Sequence, residues 1–96
     1  MLEKLKKIET HFRDVEGQLT DPTVYNDPEK LKLLSREQKE LAPVVEAYRA
    51  YCRAEQDLDA ARELLGDPAC KALAQEELAA AKEQMEALRE RLRVLL

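Results

Sequence analysis

Apolar residues recur at Leu2, Leu5, Ile8, Phe12, Val15 and Leu19, with gaps of three and four throughout. That spacing lines one face of an α-helix and predicts a first helix over about residues 2–19. Gly17 falls in its last turn and is expected to weaken it. Thr20-Asp21-Pro22 breaks the pattern, and Asp27-Pro28 breaks it again, so residues 20–27 read as a connector. At the second break, Asp27 suits an N-cap, Pro28 the first helical position and Glu29 the first turn. A second stripe follows at Leu34, Leu41, Val44, Tyr48, Tyr51, Leu58, Ala61 and Leu65, predicting a long helix over about 28–65. Pro43 lies inside that run and removes a backbone donor, so a kink or short break is expected there. Ser35 with Gln38 offers a capping box, and with it a later start for the long helix.

Gly66-Asp67-Pro68 is the clearest punctuation in the chain. Gly66 suits the left-handed position just past a helix end, Asp67 a cap, and Pro68 the opening of a third helix over about 68–96. The third stripe, Leu78, Ala81, Met85, Leu88, Leu92 and Leu95, has the three-four repeat of a coiled-coil seam. A connection this short folds its two helices into an antiparallel hairpin. The shorter helices are tied to opposite ends of the long one, so each should run antiparallel to it. The expected fold class is all-α: three helices, a long antiparallel hairpin or coiled coil with a shorter N-terminal helix packed on it. One helical domain over 1–96 is expected. Val94-Leu95-Leu96 carries the apolar register on without a stop signal, so the sequence reads as the N-terminal part of a longer protein.

Composition makes that picture leaner. Among 96 residues there are only 2 Gly, 4 Pro and 1 Phe, with no Trp, so a thin seam between helices is expected rather than a deep core. Sixteen basic residues against 20 acidic ones give a net charge of −4, and the two signs alternate along the chain. That argues against a primary nucleic-acid binder, which clusters its cations, and for a solvated surface with pairs such as Glu3 with Lys7 and Glu9 with Arg13. No apolar run approaches the roughly 20 residues that cross a bilayer, and the charged start lacks the apolar core of a signal peptide. A cytoplasmic location and no membrane partner are the resulting expectations.

Candidate chemistry is sparse. His11 is the only histidine and borders the Phe12 stripe, so it reads as a boundary residue rather than a base or ligand. With Ser35 as the only serine, on a different helix, no nucleophile–base–orienter set is evident. Cys52 and Cys70 lack the close ligand pairs that zinc uses and read as small buried or half-buried thiols. Glu76 and Glu77 are helix neighbours that point about 100° apart, which suits solvated charges better than an acid–base pair. Gly17 and Gly66 stand alone, so no phosphate loop exists. Tyr48 and Tyr51 sit on the apolar stripe and read as core rather than a stacking platform. Arg89, Arg91 and Arg93 resemble a basic patch, but the helix C-terminus and nearby Glu86 and Glu90 explain them without RNA. No active site, cofactor or metal is expected.

The segment Leu34-Ser35-Arg36-Glu37-Gln38-Lys39-Glu40-Leu41-Ala42-Pro43-Val44-Val45-Glu46-Ala47-Tyr48 resembles the N-terminal region of bacterial peptide chain release factor one. Met1-Leu2-Glu3-Lys4-Leu5 is similar to that family's start, and Leu19-Thr20-Asp21-Pro22-Thr23-Val24 to its first Asp-Pro turn. Leu64-Leu65-Gly66-Asp67-Pro68, followed by Ala74-Gln75-Glu76-Glu77-Leu78, is similar to its hairpin. Tyr25-Asn26 resembles instead the aromatic second turn of release factor two. The resemblance covers essentially the whole chain. It implies translation termination at stop codons, with the ribosome and the class II release factor GTPase as partners. The family's hydrolysis loop, Gly-Gly-Gln, and its codon-selecting tripeptide have no counterpart in these residues. What the resemblance implies is therefore a non-catalytic arm that reaches the base of the ribosomal stalk. The exposed turn at Leu65, Gly66 and Asp67 is the candidate docking tip.

Two other classes compete. A structural homodimerisation coiled coil with no ribosomal role predicts one unbroken heptad run, against which the Asp-Pro and Gly-Asp-Pro punctuation counts. A tRNA-binding helical arm of a synthetase predicts a basic face, which is missing. A homodimer of the isolated 96 residues is expected from the apolar Val94-Leu95-Leu96 seam.

Overall fold

The computed structural model describes residues 1–96, almost all of them helical or in turns. Four helices follow in order: α1 (Leu2–Leu19), α2 (Pro22–Tyr25), α3 (Pro28–Leu64) and α4 (Lys71–Leu95). The expectation of three helices is corrected by α2, a single turn inside the predicted connector. Its cause is local. Asp21 has extended backbone and its carboxylate accepts from the Thr23 N–H at 2.9 Å and the Thr23 hydroxyl at 2.9 Å, while Pro22 supplies a preset φ. Those two bonds also hold the Asp21 carboxyl below its ordinary pKa.

Asp27 repeats the device at the start of α3, accepting from the N–H groups of Glu29 at 3.2 Å and Lys30 at 3.3 Å. The helix therefore starts at Pro28, not at the Ser35 capping box. Neither suspected weak point interrupts its element. Gly17 lies within α1, and α3 passes through Pro43 without a break.

The chain packs as two compact units, Met1–Glu46 and Ala47–Leu96, and α3 contributes residues to both. In the first unit, Leu5, Phe12 and Val15 of α1, Val24 of α2, and Val44 and Val45 of α3 are buried. Leu2, the first member of the predicted stripe, is exposed. His11 meets Glu37 here. These residues stand eight or nine positions from the facing helix ends, roughly 12–14 Å along each axis, so they can touch only if α3 folds back along α1.

In the second unit the core is small-residued: Ala47, Ala54, Ala61, Ala74 and Ala81, with Tyr48, Tyr51, Leu58 and Leu92 as its larger members. Alanines let helix axes approach closely, which is how a sequence poor in large apolar residues still closes a dry seam. No buried polar residue interrupts it.

Candidate functional site

The turn that joins α3 to α4 is where the candidate tip lies, and its geometry differs from the sequence expectation. Leu65 N–H bonds to Ala61 O at 3.2 Å, Gly66 N–H to Glu63 O at 3.2 Å and Asp67 N–H to Leu64 O at 3.1 Å. The span of each bond shortens from four residues to three, so the helix tightens as it ends and never turns left-handed. No glycine has a positive φ. The left-handed Gly66 is thus corrected: a Cβ there would meet only Glu63 O, at 3.4 Å, with no left-handed strain.

Asp67 then accepts from the Ala69 N–H at 3.0 Å, and the Cys70 thiol donates to its other oxygen at 3.6 Å. Pro68 to Cys70 form a separate turn, closed by Cys70 N–H to Asp67 O at 3.0 Å. For this reason α4 opens at Lys71 instead of Pro68. Leu65 is half-buried, and Gly66 and Asp67 are exposed. Two residues that the stripe analysis passed over join them: Leu64 is 38% exposed and Leu73 54% exposed. They lie off the buried stripe, and only the helix bounds reveal that both flank the turn.

Behind the turn, Arg89 donates to the Tyr51 hydroxyl at 3.2 Å. Asp57 and Ala60 of α3 line a shallow groove together with Glu77, Ala80, Ala81 and Gln84 of α4. Numbers fall on one helix as they rise on the other, an antiparallel order. Tyr48 and Tyr51 are buried, as their place on the stripe predicted, and Cys52 and Cys70 are half-buried free thiols.

Two of the three C-terminal arginines are engaged within their own helix. Arg89 lies 3.9 Å from Glu86 and Arg93 3.2 Å from Glu90. His11, by contrast, gains a partner the sequence did not reveal, because Glu37 is 26 residues away. The hydrogen bond to Glu37, helped by the charges of Glu37 and Asp14, raises its pKa. No group of three or more His, Cys, Asp or Glu side chains could hold a metal ion, and no helix is long and apolar enough to cross a membrane.

The model of the PCRF domain matches residues 8–96. The chain belongs to the PCRF-domain family. Among its relatives, Peptide chain release factor 1 of Geobacter sulfurreducens is 35% identical over 96 residues, covering all of this chain and 27% of that protein. Peptide chain release factor 1 of Geotalea uraniireducens is 38% identical over 96 residues, with the same coverage. That of Bacillus licheniformis is 38% identical over 99 residues, covering all of this chain and 28% of its own length. A PCRF-domain chain of this kind spans about a quarter of the length of the curated relatives it matches. No solved structure gives a significant match. The resemblance to release factor one read from the Asp-Pro turns and the Leu34–Tyr48 segment is thereby borne out.

Proposed function

We propose that this PCRF-domain chain is the N-terminal, non-catalytic arm of a peptide chain release factor and acts in translation termination at stop codons on the ribosome. The observation that carries the reading is the match to Peptide chain release factor 1 along the whole chain, ordered turns included. In this reading the arm docks at the base of the ribosomal stalk, near the class II release factor GTPase. The turn at Leu65, Gly66 and Asp67, extended by Leu64 and Leu73, is its docking tip. Two features support that placement. The turn is fixed by backbone and Asp67 hydrogen bonds, so its presentation is rigid, and it carries apolar side chains that the core does not use.

Release chemistry needs a positioned nucleophile and groups that stabilise the reacting carbonyl, and this chain offers no such constellation. Its contribution is positioning. The test compares a full-length factor containing this chain with one lacking residues 1–96, on stop-programmed ribosomes. Single-turnover peptide release at saturating factor is expected to persist, while ribosome affinity or GTPase-stimulated recycling falls. Loss of the release step at saturation, with the remaining protein folded, sinks the proposal.

A further inference from the structure

Signs that alternate along the sequence do not alternate around α3. At about 100° per residue, Lys32, Arg36 and Lys39 fall within an arc of roughly 60°. That arc lies opposite the side carrying Leu34, Leu41, Val44 and Val45, the half-buried and buried residues that α3 gives to the first unit. All three cations are exposed, and none makes an ion pair or hydrogen bond. In this they differ from Arg13, Arg62, Arg89 and Arg93, which have carboxylates of their own helix to neutralise them. Along the axis the three span about 10 Å. Glu29 and Glu40 border one edge of the ridge, while the other edge carries Ser35 and Ala42 and, a turn beyond Ala42, Glu46. The row itself is cationic, with its carboxylates at the borders rather than between its members.

A second observation sets this face apart from an ordinary solvated one. Leu33 is 66% exposed and, with Glu29, Lys32 and Arg36, lines a shallow recess of about 290 Å³. The unpaired cationic row and, past its acidic edge, an uncovered leucine make this face open to a partner.

We infer that the Lys32–Arg36–Lys39 ridge binds an RNA backbone, taking phosphates of an A-form duplex without reading its sequence. This rests on the ribosomal reading above and names a second surface for it, separate from the turn. The partner follows from charge complementarity. Three flexible or forked cations in a row with no internal counter-charge suit successive phosphates. An A-form duplex offers its phosphates across a wide, shallow groove that a helix ridge can meet.

The test uses the 96-residue chain, a short RNA duplex and intact ribosomes, with binding followed over a salt series. The ridge variant carries Lys32→Gln, Arg36→Gln and Lys39→Gln. A charge-matched control carries Arg53→Gln, Lys82→Gln and Arg91→Gln, exposed residues off the ridge. The ridge variant should keep its helical signal and melting point. Its dependence of log K on log salt for the duplex should flatten by about two, close to 0.7–0.9 for each phosphate no longer neutralised, while the control stays near the parent. Equal weakening in ridge variant and control overturns the inference, since net charge alone then explains binding. A ridge variant that fails to bind ribosomes but keeps the duplex also overturns it, in favour of an acidic protein surface. Parent chain that binds the duplex through the ridge but not ribosomes leaves the ridge assignment standing and removes the ribosomal reading instead.

Discussion

His11 Nε2 meets a Glu37 carboxylate oxygen where both side chains are open to water, so the pair equilibrates freely with the solvent. Glu37 favours the imidazolium, and the folded pKa lies above the ordinary 6.5. Stabilisation from the pair is therefore complete below about 6.5 and is lost as pH rises through the folded value. A ring-proton NMR titration of His11 should give a midpoint above that of an unstructured peptide. Glu37→Gln should move it back down, leaving the Asp14 charge as a smaller influence. An unchanged midpoint in that variant means the two groups are not paired in solution. At this scale the sequence was informative in one direction only. It marked His11 as a boundary residue but could not supply Glu37, since a partner 26 residues away is brought in by the turn and not by spacing. Gly66 shows the opposite failure. Its identity suggested a left-handed backbone, but the bonds from Gly66 to Glu63 and from Asp67 to Leu64 carry the chain through the turn without one.

Asp-Pro pairs organise the elements, and they explain what the linear pattern revealed and what it did not. Asp21, Asp27 and Asp67 each accept from the N–H two residues on, so each sets a chain reversal or helix entry by the same local chemistry. Apolar periodicity located α1, α3 and α4 because each buries one stripe over several turns. The four-residue α2 is too short to show a period, and only Val24 of it is buried. Its existence depends on the Asp21 cap and not on patterning. Pro43 is the converse case, a residue whose local cost was visible but whose effect was overridden. It leaves the Lys39 carbonyl without its helical donor, yet α3 continues, anchored just past the proline by the buried Val44, Val45, Ala47 and Tyr48. Pro43→Ala should therefore restore a helical hydrogen bond without altering the fold. The expected gain is about 1–3 kcal/mol, bounded by the helix penalty of proline, and is read as a higher urea midpoint at unchanged slope. A lower midpoint would mean that the half-buried ring contributes more by packing than its missing donor costs.

For the chain as a whole, apolar residues are buried in two cores while others, Leu33, Leu64, Leu73 and Val94 among them, stay exposed. Leu64 and Leu73 stand out because they flank a turn that the Asp67 and backbone bonds hold in one conformation. Side chains already in contact with water add little to folding, so the proposed docking role can be separated from stability. Leu64→Ser and Leu73→Ser should each cost about 1–1.5 kcal/mol or less, in proportion to the part of each side chain that is covered. Leu92→Ala, at 1% exposure in the seam of the second unit, provides the contrast, with an expected destabilisation of about 2–5 kcal/mol. In a full-length factor the Leu64→Ser, Leu73→Ser pair should weaken ribosome association by about 1–2 kcal/mol or more, roughly tenfold, as apolar side chains buried at an interface centre do. Single-turnover peptide release at saturating factor should be unaltered. The measurement is a ribosome titration beside a chemical melt of the same variant. Unchanged affinity with a fully folded protein would remove the turn as the proposed docking tip and leave the proposed α3 ridge as the remaining candidate surface.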